Sequence, residues 1–328
     1  MKRLLFSLIV LSSMLIACKQ NTKPGNTKVV SSKPLDSLEL ALTKVEKTKI
    51  LPGFAVSIFT KDSLLFQKGF GLSNIKDSLA YQVDNVQIIA SITKTLVGVA
   101  LMKTVNNGLL DLDDDVNDIL PFKVSNPNFP NEKITIRMLA SHTSSIDGTN
   151  KFDSGYRFET KLNPSDFPIA YKPLLDNYNK TEEIPLKEFL KYHFSPTEKW
   201  YDKELFTNEK PGTSYEYSNF GIALLAYIIE IKTEKSFDQY TKELILDPLG
   251  MSSSTWSLSE VAKDKHVSYY NESFNIVPKY HIITYPDGGL YSSVSDLTIY
   301  LQEMMKGYDG QTLYIKNLGN DFLNYVRN

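Results

Sequence analysis

The chain has 328 residues, 42% apolar and 23% charged, an ordinary globular composition long enough for one large domain or two smaller ones. Its net charge of −2 provides no basic field to hold nucleic acid, and no nucleic-acid partner is expected. Four scattered histidines (His142, His193, His266 and His281), a single cysteine and no Gly-rich phosphate loop or His-Glu-x-x-His pair argue against a metal site or a bound cofactor.

The amino terminus reads as a targeting segment over residues 1–17. Lys2 and Arg3 precede an apolar run of 13 residues, Leu4 to Ile16, too short to span a bilayer. An ordinary signal peptide with a chance cysteine has the same outline. Leu15-Ile16-Ala17-Cys18, however, resembles the lipobox of bacterial lipoproteins. That resemblance implies cleavage before Cys18, its acylation, and an exported protein anchored to a membrane and facing periplasm or cell surface. The cysteine is then consumed, and no disulfide can form within the chain. Residues 18–33, rich in Lys, Asn, Ser and Thr, bury too little to fold and are expected to be a flexible tether. The domain proper is expected to run from 34 to 328.

Leu35 to Val45 carries apolar residues at helical spacing behind Pro34. Phe54–Phe59 and Leu64–Phe66 flank Lys61-Asp62-Ser63 as a hairpin. Thr95 to Val105 is apolar almost all round, so a helix there belongs in the centre of a domain, with Asn107-Gly108 closing it. Residues 147–210 are polar but rich in aromatics, including Tyr156, Phe158, Tyr192, Trp200 and Tyr201; that density suits core better than a cleft lining. A second fully apolar helix spans Phe220 to Ile229, and Ser293-Val294-Ser295-Asp296 has the form of a capping box opening a helix from Leu297 to Met305. Strands first and helices in the middle give an α+β, or mixed α/β, organisation.

Ser91-Ile92-Thr93-Lys94 opens the first apolar helix. Residues three apart share a helix face, so the Lys94 amine can reach the Ser91 hydroxyl as a base, and the helix amino terminus favours developing negative charge. A serine there also suits a plain helix cap. The spacing recurs at Ser73-Asn74-Ile75-Lys76, but in a polar stretch with no helix behind it. Tyr217-Ser218-Asn219 sits directly before the second apolar helix. A phenol beside a lysine can relay a proton, and the Asn219 amide can hold a substrate carbonyl or the lysine itself; a core tyrosine is the alternative. Tyr269-Tyr270-Asn271 repeats this motif without a buried helix.

From about residue 50 to 305 the chain resembles the serine β-lactamases and penicillin-binding-protein-like hydrolases, nearest the class C type. Leu51–Val56 resembles the first strand of that family, Ala90–Thr95 its nucleophile motif, and Gly108–Asp114 with Leu120-Pro121 the segment that follows. Ile136–Ser144 resembles a loop ending in Ser-Gly, with Ser145 in place of the glycine. Pro211-Gly212 through Gly221, Pro248–Met251 and Gly288-Gly289-Leu290 complete the ordered set. The resemblance implies an antiparallel sheet flanked by helices with an all-helical region, as in β-lactamases and DD-peptidases. It implies acyl transfer by Ser91, Lys94 and Tyr217, with Asn219, Gly288 and Gly289 at the substrate: a D-alanyl peptide of peptidoglycan, a β-lactam or a carboxylic ester. His142 is implied to be a packed loop residue rather than a base.

The family's third motif, Lys-Thr-Gly or His-x-Gly on a late strand, has no counterpart here, and the sequence stops about twenty residues after Met305. The strands of the closing sheet are therefore expected to be missing, and with them one oxyanion donor, a loss worth roughly 10²–10³ in rate. Two expectations stand: a serine hydrolase in shortened form, or a catalytically impaired relative that binds cell-wall peptide or a protein partner through the same cleft.

Overall fold

The computed structural model describes residues 32–148, 154–163, 165, 175 and 182–308. The proposed signal peptide, Cys18 and nearly all of the proposed tether lie outside them. The chain divides into a short unit, Met1–Leu40, and a large one, Ala41–Asn328. The first described helix is α1 (Ser32–Thr48).

In the large unit, β1 (Gly53–Thr60) and β2 (Ser63–Asn74) form the expected hairpin, antiparallel from Gly53 opposite Gly71 to Thr60 opposite Ser63. β2 runs longer than its apolar residues imply, because β3 (Leu79–Ala80) pairs with its far end and makes a three-stranded sheet. Among the described residues β1 pairs along one edge only. Three two-stranded ladders follow. They join β4 (Gln87–Ile88) to β9 (Tyr291–Ser292), β5 (Tyr156–Phe158) to β8 (Tyr280–Ile282), and β6 (Tyr269–Tyr270) to β7 (Ile276–Val277).

The helix α2 (Lys94–Asn106) lies between two apolar cores. Val97, Ala100 and Leu101 face a helical region built from α3 (Ile136–Ala140), α4 (Leu186–Phe194) and α5 (Asn219–Thr233). Leu96, Val99 and Met102 face a second cluster with Ile89, Ile245, Leu246, Met251, Leu290 and Tyr300. Two such faces confine the polar residues of α2 to its ends, Lys94 and Thr95 at one and Lys103, Thr104 and Asn106 at the other, which is why its middle shows no amphipathic stripe. α2 ends at Asn107, and Gly108 follows at φ +71°, the left-handed closure a glycine adopts without strain. In α5 every residue from Phe220 to Ile229 is buried. Phe189, His193 and Phe194 pack around Phe220 in the core, and Trp200 packs on Phe189 and His193. Of the aromatics expected to be core, Tyr192 and Trp200 lie partly buried against it, while Tyr156, Phe158 and Tyr201 are only half-buried.

After α5 the chain forms α6 (Phe237–Thr241), a π-turn (Lys242–Leu246) and α7 (Asp247–Leu249), and the last described helix is α8 (Val294–Tyr308). The capping box ahead of α8 is only half made. The Asp296 N–H donates to Ser293 Oγ at 3.2 Å, but the Asp296 carboxylate turns away to accept from Ser253 N and Ser254 Oγ, both at 2.8 Å. α8 meets the sheet through hydroxyls and amides: Thr298 Oγ1 donates to Ser57 Oγ at 2.8 Å, and Gln302 Nε2 to the Thr60 carbonyl at 2.8 Å.

Candidate active site

Ser91 lies in a 3-10 turn, Ala90–Thr93, that runs directly into α2. The turn begins with Ala90 at φ +48°, a conformation an L-residue holds only when its surroundings impose it. Thr93 is buried and its Oγ1 accepts from Leu290 N at 3.3 Å, while Ile89 N donates to the Leu290 carbonyl at 2.9 Å. These bonds pin the turn from below and leave Ser91 and Ile92 exposed at its crest.

Tyr217 is aimed by its neighbour. Ser218 is extended (φ −132°, ψ 116°), buried, and caps α5 by accepting from Gly221 N at 2.9 Å. The Ser218 N–H donates to His142 Nδ1 at 3.1 Å, and the His142 ring lies 4.8 Å from that of Tyr217. Burial, reinforced by the positive charge of Lys94, lowers the His142 imidazole to about 4. The ring is therefore neutral at physiological pH, with Nδ1 the acceptor and the proton on Nε2. His142 thus holds the segment that carries Tyr217, in the structural position the resemblance implied.

These elements converge on Ser91 Oγ. The Tyr217 hydroxyl donates to it at 2.7 Å and Lys94 Nζ at 3.3 Å, and Lys94 Nζ also lies 5.0 Å from the centre of the Tyr217 ring. A second bond, to the Asp287 carbonyl at 2.5 Å, fixes the lysine from behind. A hydroxyl placed between an amine and a phenol at a helix amino terminus can give up its proton and attack a carbonyl. The look-alike motifs do other work. Ser73 Oγ is buried against the Leu79 and Ala80 carbonyls at 3.4 Å, and the Tyr269 hydroxyl accepts from Ile88 N at 3.0 Å.

The three residues expected at the substrate are placed differently from one another. Asn219 begins α5, half-buried, and its amide has no hydrogen-bond partner among the described residues. Gly288 N and Gly289 N both donate to the Tyr285 carbonyl, at 3.3 and 2.7 Å, so neither amide is free to meet a substrate. Gly289 answers a packing demand, since a Cβ there would lie 2.8 Å from Tyr285 Cα. Hollows of about 470 Å³ beside Trp256 and about 550 Å³ beside Phe122 include none of Ser91, Lys94 and Tyr217. Among the described residues no cluster of His, Cys, Asp and Glu could hold a metal ion, and no helix is long and apolar enough to cross a membrane.

Asp287 is the residue that sequence reasoning missed. It is 1% exposed, and neither carboxyl oxygen has a hydrogen-bond partner. Burial pushes the carboxyl up to about 7, against the opposing pull of the Lys94 charge and of a Thr284 hydroxyl that lies near it without meeting hydrogen-bond geometry. The only available signal was an acidic residue inside the otherwise apolar run before Gly288-Gly289-Leu290.

Residues 41–318 match the sequence profile of the family described as Beta-lactamase. The chain belongs to the β-lactamase family. Protein flp of Staphylococcus aureus (strain MW2) is 27% identical to it over 252 residues, which cover 75% of this chain and 44% of that protein. Beta-lactamase-like protein 2 of Dictyostelium discoideum is 26% identical over 303 residues, 89% of this chain and 50% of that protein. The chain thus spans about half the length of these curated relatives. Among solved structures, an octameric penicillin-binding protein homologue from Pyrococcus abyssi superposes with a TM-score of 0.66 at 25% identity, covering 88% of this chain and 59% of that one. A class C β-lactamase does so with a TM-score of 0.61 at 18% identity, covering 90% and 70%. The β-lactamase fold, α/β with antiparallel strands and a helical region, is therefore the fold of this chain.

Proposed function

We propose that the protein is a serine hydrolase that works through an acyl-enzyme, with Ser91 as nucleophile and Lys94 and Tyr217 as the proton-transfer pair. The observation that carries this reading is the convergence of the Tyr217 hydroxyl and the Lys94 amine on an exposed Ser91 Oγ. As a free amine, Lys94 keeps one N–H on the Asp287 carbonyl and turns its lone pair to the Ser91 hydroxyl. Ser91 Oγ then bonds to the substrate carbonyl carbon and its proton passes to Lys94. Collapse of the tetrahedral adduct breaks the ester or amide bond, and the leaving group takes a proton by way of the Tyr217 hydroxyl. Water, deprotonated by the same pair, releases the acid and restores Ser91.

The substrate class we propose is a carboxylic ester, a β-lactam or a D-alanyl peptide of the cell wall, with the Asn219 amide near the substrate carbonyl. An acylated Cys18 would place this site on the outer side of a bacterial membrane. The test is covalent labelling of the folded chain by a fluorophosphonate and by a fluorescent penicillin, with Ser91→Ala as control. Label on Ser91 together with turnover of an activated ester supports the hydrolase. No label from either probe overturns it, and label without release of product supports the alternative, a relative that binds its ligand without turning it over. For the anchor, a palmitate analogue should label the parent in cells and not the Cys18→Ala variant.

A further inference from the structure

Acyl transfer by Ser91, Lys94 and Tyr217 requires nothing of the side chain at position 287 except that it fit. The chain nonetheless places a carboxyl there, completely buried and without a hydrogen-bond partner on either oxygen. An isolated buried carboxylate is expensive, so such a group stays protonated until the pH is well above its ordinary range. Its surroundings are specific. The residue's own carbonyl accepts from Lys94 Nζ at 2.5 Å, so side chain and amine are neighbours, although the carboxyl makes no ion pair with the lysine. The turn Tyr285–Asp287 packs against the Ala90–Thr93 turn, α2 and α5. The first contributes no titratable group, and α2 contributes Lys94. Glu230 of α5 accepts from the Tyr285 hydroxyl at 3.1 Å, and Asp238 N of α6 donates to that hydroxyl at 3.3 Å, both at the far end of the turn. Beyond Lys94 lie the Tyr217 ring and the neutral His142. Lys94 is thus the charge that Asp287 faces most directly.

We propose that Asp287 is a positioning residue that sets the protonation of Lys94: neutral, it lets the amine lose its proton and act as base; ionised, it holds that proton in place. No co-reactant is needed, because the proton Asp287 sheds goes to water. The inference rests on the acyl-transfer reading, and it adds to it a brake that engages as the pH rises past neutrality. Opposite charges within about 6 Å shift one another's titration by a unit or more, so losing the carboxylate should move the alkaline rise in Ser91 labelling by about one pH unit.

The experiment measures the rate of fluorophosphonate labelling of Ser91 from pH 5.5 to 9.5 in the full chain, for the parent and for Asp287→Asn. The alkaline rise in labelling should begin about one pH unit lower in Asp287→Asn, giving roughly tenfold faster labelling at a fixed pH on that rise. Coincident profiles in two labelled proteins overturn the inference and leave the hydrolase reading intact. A second measurement does not depend on labelling: the titration midpoint of Lys94, followed by NMR after ¹³C-methylation of the lysines, should fall in the variant. Absence of label with a shifted Lys94 midpoint overturns the hydrolase reading while the coupling stands. Should the asparagine variant fail to fold, Asp287→Ala, which strands no polar group in the core, must show the same shift; an unmoved midpoint there overturns the inference.

Discussion

Tyr217 and Ser91, 126 residues apart in the chain, meet hydroxyl to hydroxyl at 2.7 Å. Each stands at the amino end of a buried helix, so the packing of α2 against α5 sets the distance between them. The Tyr217 ring is held separately, by His142 at 4.8 Å and Lys94 at 5.0 Å. Tyr217→Phe should therefore keep the ring in place and lose only the hydroxyl. Labelling of Ser91 by a fluorophosphonate is expected to slow by about 10²-fold or more. Because the residue is 39% exposed, stability in urea should change by less than about 1 kcal/mol. An equal rate in the variant removes Tyr217 from the proton path.

His142 makes stability depend on pH. Its folded-state value is depressed to about 4 by burial and by Lys94, from an ordinary value of 6.5, and buried His266 is depressed to about 4 as well. Over that interval the unfolded chain binds protons that these two rings refuse in the fold. Their contribution is complete above about pH 6.5 and is lost as the pH falls towards 4. Asp287 is displaced in the opposite sense and offsets part of the loss, so the difference between two proteins is the useful quantity. His142→Asn tolerates the left-handed backbone at φ +58° and has an oxygen to accept from Ser218 N. Its unfolding between pH 4 and 6.5 should take up about one proton fewer than that of the parent, measured from the slope of stability against pH.

Ser145 occupies the place where the family loop usually has glycine, and its backbone is left-handed at φ +61°. The hydroxyl offsets that strain by accepting from Asn126 Nδ2 at 2.9 Å. Both Ser145→Ala and Ser145→Gly lose the hydrogen bond, but only glycine relieves the backbone. The glycine variant should be about 1 kcal/mol more stable than the alanine variant in chemical denaturation. A reversed order would mean that the left-handed backbone carries no cost here.

Gly288 and Gly289 should differ sharply. A Cβ on Gly288 meets only ordinary contacts, 3.4 Å from Ile282 Cδ1 and 3.6 Å from Ala90 C. On Gly289 it would press on Tyr285 Cα at 2.8 Å and on the Tyr285 carbonyl oxygen at 3.0 Å. Gly288→Ala is expected to cost less than about 1 kcal/mol and Gly289→Ala about 2 kcal/mol or more, read from urea midpoints. Similar losses at both positions would contradict this packing.

The parts of the fold that were legible in the sequence are those with a local cause. α2 and α5 announced themselves because helices buried on every side carry no polar face, and the hairpin because alternating apolar runs flank Lys61-Asp62-Ser63. Ser91, Lys94 and Tyr217 were legible for the same reason: each sits at the start of such a helix. The pairing of Gln87 with Ser292, and of Tyr156 with Ile282, left no trace, because ladders of two or three residues are imposed by the tertiary structure rather than by propensity. The capping box was read correctly at Ser293 but not at Asp296, whose carboxylate is claimed by Ser253 and Ser254, residues forty or more positions away. Asp287 was illegible because an acidic residue in a glycine turn normally faces water, and only the packing of Tyr285 and α2 around it encloses it.

The helix that begins at Lys94 belongs to both cores at once, with Val97, Ala100 and Leu101 on one side and Leu96, Val99 and Met102 on the other. Neither core can open without stripping one face of this helix, so the nucleophile has no private local unfolding. Backbone amides in the middle of α2 should accordingly exchange with solvent only when the whole domain unfolds. In such a molecule a destabilising substitution far from Ser91 lowers the number of competent molecules and leaves the rate of each survivor unchanged. Titrating the active sites would then report the same quantity as a melting curve.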